Sequence, residues 1–198
     1  MDTYRTVAAP SCAEYKDKGS RFLSFVYPVR AEDEIKQHLI SLQKEHFKAV
    51  HHCYAYRLGY DGNNFRANDD GEPSGSAGRP ILGQIDSFAL TDTAIFVVRY
   101  FGGILLGVPG LIKAYKTASA EALRQAEIIE KNIEKTMKIR CEYQHLSGIR
   151  NVLMRHQAHI IAQELQADCF LFVSLPQAQF SGCLKTLQDM RLCVIETD

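Results

Sequence analysis

Between Asn68 and Leu82 the chain reads NDDGEPSGSAGRPIL, with three acids, three glycines, two prolines and two serines ahead of a short apolar run. An ordinary surface turn needs only a few such residues. A second stretch of the same character, VVRYFGGILLGVPGLIKAY, runs from Val97 to Tyr115 and leads into a helical pattern. Two glycine-rich corners, each placed ahead of a helix, require a fold in which the backbone turns sharply at both sites. They also raise a chemical choice. Such corners can hold a cation through their acids, receive an anion on unpaired helix-start N–H groups, or serve backbone geometry alone.

The elements around the corners divide the chain in two. SRFLSFVYPV (Ser20–Val29) alternates like a strand, and AEDEIKQHLISLQKEHF reads as a helix with acids in its first turn and Ile35, Leu39 and Leu42 on one face. AVHHCYAYRL is a second strand closed by an Asp-Gly turn, and TAIFVVRYF (Thr93–Phe101) is a β-branched and aromatic run suited to a central strand. Leu111, Tyr115, Ala118, Ala122 and Ala126 then mark one face of a long helix, whose first position Pro109 suits. EIIEKNIEKTM reads as a charged connection. Beyond it come strand, helix, strand, strand, helix and strand, the βαββαβ order of a ferredoxin-like unit. The helices of that unit carry Leu146, Ile149, Leu153 and His156, and Phe180, Leu184 and Leu187. The expectation is an α+β protein with domains at 1–135 and 136–198.

Composition removes several function classes. A hydrophobic fraction of 46% supports a real core, and the formal net charge is zero. A protein that coats nucleic acid should show a clear positive excess; a local basic groove is still compatible with neutrality. The N-terminus lacks a signal pattern and no apolar run has the length of a membrane span, so a soluble, cytoplasmic protein is expected, with no membrane partner. The six cysteines form no CxxC pair, and most of them read as reduced, buried small hydrophobes.

The corners themselves point away from metal and nucleotide chemistry. Asp69, Asp70 and Glu72 are hard oxygen ligands, but their spacing is not that of a calcium loop, and neither a metal nor another cofactor is expected. If a strand continued through the two aspartates they would face opposite ways; otherwise one caps a turn. Gly75, Gly78 and Pro80 fit neither the P-loop nor the dinucleotide fingerprint, yet they suit a helix start open to an anion. Arg99 near its strand's end and Lys113 in the first helical turn could serve the same anion; alternatively Arg99 pairs with Glu72 or Asp70. On a strand His51 and Cys53 share a face, but their Cα atoms stand about 6.5–7 Å apart, awkward for a Cys–His nucleophile. No catalytic residue is assigned.

DDGEPSGSAGRPIL together with RYFGG…LGVPGLIKAY closely resembles the IMPACT/YigZ family, as do GSRFL (Gly19–Leu23) and AVHHCYAY (Ala49–Tyr56). Four ordered motifs cover about Gly19–Tyr115. The resemblance implies a first domain similar to the second domain of small-subunit ribosomal protein five, and a ferredoxin-like tail resembling the last domain of elongation factor G. It further implies association with RNA or ribosomes. Eukaryotic relatives are associated with translational control through a protein partner, but they carry a different accessory domain, so the resemblance does not carry that partner over to this chain. Asp69 to Pro73, Gly75, Ala77, Gly78, Arg99 to Gly103, Gly107, Gly110, Leu111, Ala114 and Tyr115 match the motifs, as do His51 and Cys53. Ser76 stands for the usual threonine, Leu105 for a frequent lysine, Val108-Pro109 for a small-residue and glycine pair, and Lys113 for arginine, whose planar fork is lost.

The site expected for an anion or RNA comprises His51, Asp70, Glu72, Ser74, Gly75, Ser76, Gly78, Arg79, Arg99, Gly102, Gly103 and Lys113. Three functional classes compete. An RNA- or ribosome-associated translation factor predicts a positive groove; an enzyme or binding protein for a small anionic ligand predicts an enclosed pocket; a protein-interaction module predicts an exposed apolar patch.

Overall fold

The computed structural model describes residues 2–166 and 168–197, so the end positions 1 and 198 of the two expected domains lie outside the described residues. The chain divides into two compact units, one spanning Tyr4–Lys131 and the other running from Asn132 onward together with the first residues. The architecture is α+β in both.

In the first unit the elements are β1 (Thr3–Val7), β2 (Ser11–Asp17), β3 (Ser20–Pro28), α1 (Glu32–Glu45), β4 (His51–Leu58), β5 (Asn64–Asn68), α2 (Gly78–Ser87), β6 (Thr93–Tyr100), α3 (Gly107–Gln125) and β7 (Ile128–Asn132). An antiparallel sheet runs β2-β3-β6-β4-β5. The β-branched and aromatic run of β6 lies at its centre and is buried on both faces. Against one face pack α2 and α3, through Ile81, Ile85, Leu111, Tyr115, Ala118 and Ala122. The alanines permit close approach of helix to sheet. Against the other face packs α1 through Ile35 and Leu42, with Leu39 half-buried beside them. Acids occupy the first turn of α1 and Lys44 its last, both favoured by the helix dipole.

Three readings of local pattern are corrected. The charged stretch after α3 is not a connection: β7 pairs with β1 in a separate two-stranded sheet. Its partner stands at the other end of the unit's sequence, where local periodicity gives no sign of it. Both helix-start prolines, Pro80 and Pro109, sit third in their helices, still within the turn whose N–H groups lack intrahelical acceptors. Lys113 therefore falls in the second turn of α3 rather than the first.

The second unit runs β8 (Glu134–Glu142), α4 (Leu146–Arg155), β9 (His159–Leu165), β10 (Asp168–Pro176), α5 (Gln177–Met190) and β11 (Cys193–Thr197). Its sheet order is β11-β8-β10-β9, with antiparallel neighbours. This is the ferredoxin-like split βαβ arrangement. Met137, Ile139, Cys141, Leu171, Val173 and Leu175 form the core with Ile149, Leu153 and Leu187. On α5 it is Cys183, not Leu184, that joins Leu187 in the core, because three-residue and four-residue steps from Phe180 meet the sheet at 183 and 187.

Candidate functional site

The first glycine-rich corner folds around Asp69. Strand β5 ends at Asn68, and Asp70 adopts the left-handed backbone conformation at φ 43°, so the two aspartates do not lie on one strand. The Asp69 carboxylate accepts the N–H groups of Gly75 (2.8 Å), Ala77 (3.0 Å) and Gly78 (2.8 Å). The start of α2, expected to receive an outside anion, is thus occupied by the protein's own carboxylate. Helix N-termini favour negative charge for the reason an anion would bind there. Burial alone would push this carboxyl up, but the three N–H donors and the nearby Arg79 outweigh it and hold it below the usual carboxylate range. Asp70 serves a different strand: its carboxylate accepts the His52 N–H at 2.6 Å.

The second corner is shaped by close approach. A Cβ on Gly102 would lie 1.9 Å from the backbone carbon of Gly19, and Gly102 donates its N–H to Ser20 Oγ at 3.1 Å. This contact explains why the GSRFL stretch belongs with the corners although it lies far upstream. Gly103 takes a positive φ of 86°, and a Cβ there would meet nothing within 4 Å among the described residues other than its chain neighbours.

Glu72 and Arg99 join the corners. The Arg99 guanidinium donates to Glu72 at 2.6 Å, with side-chain exposures of 7% and 3%. The Tyr115 hydroxyl donates to the same carboxylate oxygen at 2.6 Å. Behind it, Cys53 Sγ lies 3.0 Å from the Asp69 carbonyl and 3.3 Å from the Tyr115 oxygen, so its single S–H can serve either. Burial pushes the Cys53 thiol well above its ordinary value against the opposing hydrogen bond to Tyr115, and burial likewise pushes the Tyr115 hydroxyl up. A thiol held protonated is a poor nucleophile. Arg99 also lies over the rings of Phe22 and Phe101, at 5.6 and 5.7 Å from the ring centres, and its buried Nε has no hydrogen-bond partner among the described residues.

His51 completes the group. Its Nδ1 lies 2.7 Å from the Asp70 carbonyl oxygen, which can only accept, so Nδ1 carries the proton. Its Nε2 faces Glu72 at 3.9 Å. Above this polar floor opens a groove of about 430 Å³ whose walls are Val50, Phe101, Leu105, Leu106, Val108 and Leu111. The rim is unusually greasy for a surface: Leu105 is 82% exposed, Val50 51% and Phe101 47%.

Of the twelve expected residues the fold therefore gathers His51, Glu72 and Arg99 at one groove, with Asp70 bracing it. Gly75 and Gly78 spend their donors on Asp69, and Ser76 is buried with its hydroxyl donating to the Pro73 carbonyl at 2.6 Å. Ser74, Arg79 and Lys113 are exposed, and Gly102 and Gly103 lie in the second turn. Lys113 does not line the groove. Sequence reasoning missed Tyr115 as a polar participant by reading it only as a core residue of α3. The available signal was that a buried tyrosine hydroxyl requires a partner.

Comparison with known proteins decides the family. Residues 18–123 match the Impact N-terminal domain, and the chain is 36% identical over 191 residues to the IMPACT family member YigZ of Escherichia coli, covering 96% of this chain and 94% of that one. This chain belongs to the IMPACT family. Another member, YvyE of Bacillus subtilis, is 37% identical over 157 residues, covering 79% of this chain and 72% of its own. A crystal structure described as that of a hypothetical protein aligns with a TM-score of 0.81 at 34% identity, covering 100% of this chain and 98% of the other. Protein IMPACT of Rattus norvegicus is 31% identical over 98 residues, 48% of this chain but 31% of its own length. The IMPACT match with the mammalian protein is thus partial, whereas the bacterial relatives match across most of their length.

Proposed function

We propose that this IMPACT family member is a binding protein of the translation apparatus that associates with RNA or the ribosome and has no catalytic step of its own. The observation that carries the reading is the second unit. Its four-stranded ferredoxin-like sheet has a helix-covered core face and a second face free of that core, the layout that single-strand RNA-binding modules use. The first unit supports binding over chemistry: Cys53, Tyr115, Glu72 and Arg99 are committed to one another, and the thiol is held protonated. The family resemblance supplies the link to translation. The test is co-sedimentation of purified protein with ribosomes at low and high salt, beside an Arg79→Ala, Lys113→Ala variant. Both cations are exposed, and a thermal melt checks that the variant folds. Pelleting that weakens with salt supports the reading; absence of pelleting at low salt rejects it.

A second reading rests on the groove of the first unit. An apolar rim of Val50, Phe101, Leu105 and Val108 around a charged floor suits a protein segment better than a phosphate. Leu105→Asp would separate the two readings, by abolishing capture of a protein partner while sparing association with naked RNA.

A further inference from the structure

The free face of the second unit's sheet pairs aromatic rings with cations. Phe170 and Phe172 stand two apart on β10, so they share one face, and both are half-buried. Their cross-strand partners on β8 are Arg140 and Lys138 respectively. Lys138 Nζ lies 5.1 Å from the centre of the Phe170 ring and 5.9 Å from that of Phe172, and the Arg140 guanidinium lies 5.9 Å from Phe170. The strands concerned are the two central ones of the sheet. Beside Phe172 and Lys138 opens a groove of about 530 Å³ that reaches Ile161 on β9 and Glu196 on β11.

We infer that this face binds single-stranded RNA, with Phe170 and Phe172 as stacking platforms for successive bases and Lys138 and Arg140 as the phosphate contacts. The inference rests on the RNA reading above and names its site. Stacking on an aromatic ring tolerates any base, and cations beside the rings attract the backbone phosphates. Here each ring has one directly across the strand. In the free protein the cations are held by acids, Lys138 by Glu196 at 3.3 Å and Arg140 by Asp168 at 2.5 Å. Those pairs are solvent-exposed, so exchanging their carboxylates for phosphates costs little. The same acids predict modest affinity and a distinctive response: removing one should strengthen binding. An exposed Glu164 opposite Phe170 adds to that restraint.

The experiment is fluorescence anisotropy of a short unstructured oligoribonucleotide, run with the full chain at two salt concentrations. Phe170→Leu and Phe172→Leu keep apolar bulk and remove the ring; thermal melts verify that each variant folds. The expected result is salt-sensitive binding, weakened about tenfold or more by either leucine variant, and strengthened a few-fold by Glu196→Gln. Wild-type binding unchanged in both leucine variants overturns the assignment and leaves the RNA reading standing with its site elsewhere. Ribosome pelleting without oligonucleotide binding also overturns it, and points to a protein surface on the ribosome as the partner. Loss of both pelleting and oligonucleotide binding in wild type removes the RNA reading itself.

Discussion

The Arg99 guanidinium and the Glu72 carboxylate meet at 2.6 Å with both side chains almost wholly buried, one contributed by each glycine-rich corner. Removing one partner of such a pair leaves an uncompensated charge out of water. Glu72→Ala should lower stability by about 3–5 kcal/mol, read by chemical denaturation. Arg99→Met combined with Glu72→Leu should recover most of that loss. Equal losses in the single and double variants would show that packing, not charge, dominates here.

The Asp69 carboxylate satisfies three N–H groups at the start of α2. Asp69→Asn should cost about 1–3 kcal/mol at neutral pH. Because the folded carboxyl titrates below its unfolded value, its contribution is complete above roughly pH 4 and is lost as pH falls through the lower folded value. Wild type should therefore lose stability on acidification over that window, and Asp69→Asn should flatten that part of the curve. Denaturation midpoints of the two proteins between neutral and acid pH check this.

Two glycines should respond oppositely to alanine. At Gly102 the new Cβ meets the Gly19 backbone at 1.9 Å, an overlap that rigid backbone cannot relieve, so Gly102→Ala should unfold the chain or lower its melting temperature sharply. At Gly83, exposed within α2, the added atom meets nothing within 4 Å among the described residues beyond its own stretch of helix, and Gly83→Ala should stabilise by up to about 1 kcal/mol. Melting temperatures of the two variants would decide both halves.

Thiol reactivity should separate Cys12 from Cys53. Cys12 is exposed, whereas Cys53 is buried with its thiol pushed upward. Under native conditions at mildly alkaline pH, a maleimide should label Cys12 within minutes and leave Cys53 untouched until denaturant is added. Peptide mass spectrometry after timed labelling reads the outcome; native labelling of Cys53 would mean the groove floor opens readily.

The features legible in the linear chain were local. Glycine and proline placement located both corners, period-two and period-3.6 patterns located β3, α1, β4, β6 and α3, and the βαββαβ order of the second unit was legible because its apolar faces repeat within short windows. Backbone preference and amphipathic period depend on a residue and its near neighbours, so a linear reading reaches them. Tertiary structure decided who meets whom. Asp69 filling the start of α2, Arg99 choosing Glu72 over Asp70, and Tyr115 joining that pair each depend on which side chain packing brings within hydrogen-bond reach. The pairing of β1 with β7, and the register that sets Phe170 and Phe172 opposite Arg140 and Lys138, likewise join segments far apart in the chain. Such contacts depend on the competition among all surfaces that seek burial at once, and no short window of sequence contains that competition.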